Sequence, residues 1–93
     1  SGGLIEAVTD DEILAAYRMV AAREGLFCEP ASAAGIAGLI KLHEAGRLYP
    51  GQLIVCTLTG HGLKDPDWAL DRAPAPTVVA ADAMSVADAI GLA

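Results

Sequence analysis

Thr59-Gly60-His61-Gly62-Leu63-Lys64-Asp65-Pro66 gathers more chemistry than any other stretch of this 93-residue chain. A hydroxyl, an imidazole, an ammonium and a carboxylate stand almost side by side. The glycines at 60 and 62 lack the Cβ that would hold a backbone away from a ligand. The segment has the makings of a ligand-facing loop. Its spacing is not that of a phosphate loop, which needs four residues between its glycines and a Ser or Thr after the lysine. His61 remains open to two readings, a structural hydrogen-bonding histidine or an acid–base group. Cys28, His43, Cys56 and His61 show no paired ligand spacing, so no metal site is expected. Both cysteines sit next to apolar residues and read as free, reduced, buried thiols of a cytoplasmic protein.

The elements that must position this loop are legible around it. Thr9 stands three residues before Glu12, the spacing of a capping box, and Asp10 and Asp11 complement the positive end of a helix dipole. Ile13, Tyr17, Val20 and Ala21 recur at helical spacing, and Gly25 is a natural stop, so a helix is expected over 10–24. Pro30 suits the first turn of a second helix, expected over 31–45. Its first half is built of small residues, and Gly35 and Gly38 each cost about 1 kcal/mol relative to alanine in a helix interior. Close approach of a ligand or another backbone would offset that cost, as would simple tight packing.

Tyr49-Pro50-Gly51 signals a turn. The β-branched-rich run Leu53 to Leu58 that follows reads as a strand buried on both faces, as in a parallel sheet. Leu4–Val8 reads as a short strand or extended lead-in, and Thr77–Val79 as a brief edge strand. Trp68 and Leu70 are expected to anchor a short helical turn, and Ser85 with Asp88 to cap a last short helix over 85–92. Helix, connection, helix, turn and buried strand together are α/β grammar. In such sheets ligands bind beyond the carboxyl ends of the strands, which is where Thr59 lies.

Composition sets outer limits. Hydrophobic residues make up 54% of the chain but aromatic ones only 4%, so each buried residue contributes little apolar area and a well-filled independent core is doubtful. The formal charge of −6 repels a phosphate backbone and an anionic bilayer, so neither nucleic acid nor membrane is an expected partner. A mean hydropathy of +0.45 excludes disorder as the overall state. The sequence opens Ser1-Gly2-Gly3 and its methionines are Met19 and Met84, so a processed chain or a piece of a longer polypeptide is expected.

Two segments, Glu29-Pro30-Ala31-Ser32-Ala33-Ala34 and Thr57-Leu58-Thr59-Gly60-His61-Gly62-Leu63-Lys64-Asp65-Pro66, resemble the C-terminal part of the bacterial threonine synthase family. The helix opening at Thr9-Asp10-Asp11-Glu12-Ile13-Leu14 resembles the stretch that precedes them there, so the resemblance covers nearly the whole chain. TGHGLKDP at 59–66 is its most specific motif; EPASAA at 29–34 is shared with related enzymes. The resemblance implies a fold-type II pyridoxal-phosphate enzyme. Residues 1–93 would form the C-terminal portion of its three-layer αβα large domain. It also implies conversion of O-phospho-L-homoserine and water to L-threonine and phosphate, in a cytoplasmic enzyme that is commonly a homodimer.

By that match Thr59 presents its hydroxyl to the pyridine nitrogen of the cofactor. A hydroxyl, unlike a carboxylate, does not hold the ring nitrogen protonated, so the electron sink is tempered. Gly60 lets the loop pass close to the ring, and Glu29 and Ser32 line the neighbouring wall. His61, Lys64 and Asp65 are motif members with either a loop-structuring or a chemical role. No catalytic residue is assigned within this chain. The family's cofactor-anchoring lysine and its glycine/asparagine-rich phosphate loop have no counterpart here, where the lysines are Lys41 and Lys64. Alone, the chain is expected to be inert and to depend on the remainder of the enzyme. Two alternatives stand beside this reading: another fold-type II lyase such as a threonine or serine dehydratase, and a non-catalytic α/β interaction module.

Overall fold

Thr9 opens the first helix as its spacing predicts. Its hydroxyl accepts from the amide of Glu12 at 3.1 Å, and the Glu12 carboxylate accepts from the amide of Thr9 at 2.8 Å. Each closes one of the orphan amides of a first turn. Helix α1 spans Asp10–Glu24 and stops at Gly25, whose φ of +66° is the left-handed conformation that glycine adopts without strain. In this computed structural model, which describes residues 1–92, three further helices follow: α2 (Pro30–Glu44), α3 (Pro66–Arg72) and α4 (Ala83–Ala89). A single 3-10 turn, Gly62–Lys64, precedes α3.

The core lies where α1 meets α2. Ala16 and Tyr17 from α1 pack with Ala33 and Ala37 from α2 and with Cys28 between them, ringed by half-buried Val8, Ile13, Phe27, Ile36 and Leu58. Four of those five buried residues are small, so the helices approach closely but bury little area. The radius of gyration is 17.9 Å, against about 12 Å for a compact domain of this length. A small core within an elongated chain is what the alanine-rich, aromatic-poor composition implies.

The run at 53–58 departs from expectation. Among the described residues there is no β-ladder, only one isolated antiparallel bridge between Cys28 and His61. Leu53 is 93% exposed and Val55 85%, so the run is unpaired and, up to half-buried Leu58, exposed. Its composition is that of a central strand, but a ladder requires a neighbouring strand at each edge, and the described residues supply none. The same holds at 4–8 and 77–79, which also carry no ladder. Cys56, expected to be buried, is exposed for the same reason, while Cys28 is buried and both thiols are free. Gly35 is nonetheless accounted for: a Cβ there would stand 3.2 Å from the Cys56 sulfur, whereas Gly38 meets nothing within 4 Å and lines an open groove with Leu4 and Val8.

The tail holds a second correction. α4 is capped by Asp82, whose carboxylate accepts from both the amide and the hydroxyl of Ser85 at 2.8 Å. A carboxylate three residues upstream is the stronger acceptor, so Ser85 lies inside the first turn and the helix begins earlier than its spacing with Asp88 predicts. In α3, Trp68 sets its ring edge-on to Tyr17 at 6.5 Å, while Leu70, expected to share the anchoring, stays exposed. No helix among the described residues is long and apolar enough to cross a membrane.

Two outcomes follow from these features. Hydrogen bonds from the amide and hydroxyl of Thr9 hold the Glu12 carboxyl below its ordinary value of 4.5. A depressed carboxyl contributes its stabilisation in full above the unfolded value and loses it as pH falls through the folded one. Helicity followed by circular dichroism should therefore decline below about pH 4.5, and Glu12→Gln should flatten the part of that decline due to α1. The uncovered run at 53–58 should make the chain self-associate. Sedimentation at rising concentration checks this, with Val55→Lys shifting the distribution toward monomer.

Candidate functional site

Ser32 is the third residue of α2, and its hydroxyl points away from its own helix. Its Oγ accepts from the amides of Thr59 at 3.1 Å and Gly60 at 2.9 Å, and stands 3.1 Å from the hydroxyl of Thr59. The Ser32 side chain is buried at 7% exposure and Gly60 is buried as well. Thr59 is exposed. The loop is thus tied to the helix start, with Thr59 at its exposed edge.

A second tie holds the other side. The amide of Glu29 donates to the carbonyl of Gly60 at 3.0 Å, and the amide of Gly62 donates to the carbonyl of Phe27 at 3.0 Å. These two bonds make the Cys28–His61 bridge. They bring the EPASAA and TGHGLKDP segments, some thirty residues apart, into one site. Glu29 caps α2 by position but offers it no side-chain bond; its carboxylate instead lies over Gly60, in the space a Cβ would fill. The four residues singled out from the sequence, Glu29, Ser32, Thr59 and Gly60, are therefore neighbours.

The rest of the motif builds the loop. His61 Nδ1 accepts from the amide of Leu63 at 3.1 Å and so caps the 3-10 turn. A neutral imidazole with Nδ1 accepting carries its proton on Nε2. The ring stands edge-on to Phe27 at 5.5 Å. Lys64 lies exposed within the turn, and the amide of Asp65 donates back to the carbonyl of Gly62 at 3.1 Å. Lys41 is held at the opposite side of α2, donating to the carbonyl of Ala7 at 2.9 Å with Glu6 3.9 Å away.

Phe27 is the participant that residue types alone do not reveal. Its ring fills the place a Gly62 Cβ would take and also contacts Tyr17 at 6.2 Å. The clue in the sequence is the short apolar run Leu26-Phe27-Cys28 directly before Glu29-Pro30. Burial pushes the Cys28 thiol above its ordinary value, which keeps it protonated and unreactive. An open cleft of about 420 Å³ lies over these parts, lined by Phe27, Cys28, Leu58, Thr59, Gly60 and His61. That size is within the range of small-molecule sites. Its lining sets the Thr59 hydroxyl and the His61 ring beside a mostly apolar floor.

Residues 1–60 match the profile of the family described as pyridoxal-phosphate dependent enzyme. The chain belongs to that family. Within the family it is 53% identical over 92 residues to the threonine synthase of Mycobacterium leprae, an alignment covering 99% of this chain and 26% of the relative. It is 52% identical over its full length to the threonine synthase of Mycobacterium tuberculosis, again 26% of the relative. To that of Methanocaldococcus jannaschii it is 52% identical over 82 residues, 88% of the chain and 20% of the relative. The chain thus spans about a quarter of the length of these curated relatives.

The site residues fit the family's cofactor. A pyridine nitrogen needs a polar partner and a flat ring needs an apolar bed; the cleft lining offers the Thr59 hydroxyl for the first and Phe27 and Leu58 for the second. The two glycines differ in what alanine would cost. At Gly60 the obstructing atoms belong to the mobile end of Glu29, whereas at Gly62 they belong to the packed Phe27 ring. Gly62→Ala should therefore destabilise the fold by about 1–3 kcal/mol, and Gly60→Ala by less, as read from urea denaturation midpoints.

Proposed function

We propose that this chain is the C-terminal portion of the cofactor-binding domain of a threonine synthase. The parent enzyme converts O-phospho-L-homoserine and water to L-threonine and phosphate, as a cytoplasmic homodimer. The observation that carries the reading is the Thr59 hydroxyl, backed by buried Ser32 and lining a cleft, in a chain about half identical to proteins named threonine synthase. The uncovered run at 53–58 supports it as well. In the αβα layering of fold-type II enzymes such a run lies within the sheet, and strands contributed by the rest of the polypeptide would pair with it and bury it.

When bound, pyridoxal phosphate supplies the electron sink for chemistry at the substrate's α- and β-carbons. This chain's residues orient and insulate that group. Thr59 would donate to the ring nitrogen and, being a hydroxyl and not a carboxylate, would not hold that nitrogen protonated. Gly60 gives the Glu29 carboxylate its seat, and Ser32 backs Thr59 from a buried position. Phe27 and Leu58 provide apolar floor. His61, Lys64 and Asp65 hold the loop in shape through the 3-10 turn. Neither lysine is assigned to covalent cofactor binding. Lys41 is engaged by Ala7 and Glu6, and Lys64 projects from the loop's exposed turn.

Assay of the full-length polypeptide carrying these residues tests the reading directly. Phosphate release from O-phospho-L-homoserine with equimolar threonine is the expected result. Ammonia release from threonine or serine would instead make it a dehydratase. The 93-residue chain alone should neither turn over phosphohomoserine nor retain pyridoxal phosphate after borohydride reduction, so stoichiometric labelling of Lys41 or Lys64 accompanied by activity would refute the assignment.

A further inference from the structure

Ser32 makes more contacts than a residue lining a wall needs, and their number fixes their direction. A serine hydroxyl has one proton to donate and two lone pairs to accept with. The amides of Thr59 and Gly60 can only donate, and both point at Ser32 Oγ, at 3.1 and 2.9 Å. They occupy both lone pairs. The remaining neighbour is the Thr59 hydroxyl at 3.1 Å, and the one thing Ser32 has left to give is its proton. Ser32 therefore donates and Thr59 Oγ1 accepts. The proton of Thr59 is then excluded from that contact and is directed to the exposed side, into the cleft.

We propose that Ser32 is a positioning residue that commits the Thr59 hydroxyl to act as a donor. A lone threonine hydroxyl is ambivalent: it can donate to an unprotonated ring nitrogen or accept from a protonated one at similar cost. With Ser32 behind it, one of its lone pairs is filled and its proton has an outward direction. The pair favours an acceptor in front of Thr59 and disfavours a second donor. Ser32 thus selects the unprotonated nitrogen from a buried position, through Thr59, without having to touch the ring. The inference rests on the assignment of Thr59 to the pyridine nitrogen, and deepens it.

The test is a double-mutant cycle in the full-length polypeptide, read as affinity of the cofactor-free protein for pyridoxal phosphate and as the pH titration of the bound cofactor's visible absorption. Thr59→Val and Ser32→Ala should each weaken binding roughly tenfold, about 1.4 kcal/mol. Each should also raise the pH at which the bound ring protonates, because a donor stabilises the unprotonated form. The double variant should titrate like Thr59→Val, since Ser32 reaches the ring nitrogen only through that hydroxyl. Ser32→Thr, which keeps the hydroxyl, should restore the titration. Ser32→Cys, with a weaker donor, should fall between wild type and Ser32→Ala and carries the test if the alanine variant does not fold.

Ser32→Ala or Ser32→Cys titrating like wild type, or a double variant whose ring protonates at a clearly higher pH than in Thr59→Val, would overturn the positioning role and leave Thr59's assignment standing. Thr59→Val with unchanged affinity and titration would remove that assignment and the role of Ser32 together.

Discussion

Three groups converge on one buried oxygen, and the architecture of the site follows from satisfying it. The Ser32 hydroxyl sits where a helix start and a loop meet, and it is the acceptor for two amides that would otherwise be left without partners, one of them on buried Gly60. Leaving such a group unpaired costs about 1–3 kcal/mol, a large fraction of what a core of alanines and one tyrosine can supply. The position of Ser32 is set in turn by Pro30, which starts α2 at a fixed place, and by the backbone pairing of Glu29 with Gly60. Helix start, bridge and hydroxyl contact are mutually dependent, so the three form or fail together.

The parts of this arrangement that were legible in the sequence are the local ones. The capping box at Thr9 and Glu12, the left-handed stop at Gly25 and proline at the first position of α2 each act over three or four residues, and each appears where its spacing puts it. The motif from Thr59 to Pro66 could be read as a loop because glycine, histidine and proline there carry conformational meaning by themselves. Glu29 and Ser32 could be joined to it only through resemblance, since no local rule ties residue 32 to residue 59.

What was not legible is whatever depends on distant neighbours. Leu53 to Leu58 has the composition of a central strand, and composition reports the environment a segment is suited to, not the one present. With no strand beside it, the run stays unpaired and exposed. The Asp82 cap of α4 was missed for the opposite reason: two cap signals lay within one turn, and the more strongly accepting group prevailed. Phe27 was missed because its partner, Gly62, has no side chain to advertise the contact.

The bridge between Cys28 and His61 closes a ring of roughly thirty residues, and closing a ring that size costs about 3 kcal/mol of chain entropy. Two backbone bonds, the Ser32 contacts and the Phe27 ring packed on Gly62 and His61 act against it at the junction. Anything that grips both ends at once works as a clasp, adding its own binding free energy to the closed form alone. Occupancy of the cleft and integrity of the ring are then two readings of the same equilibrium, and a chain that loses its guest should open at this seam before its paired helices come apart.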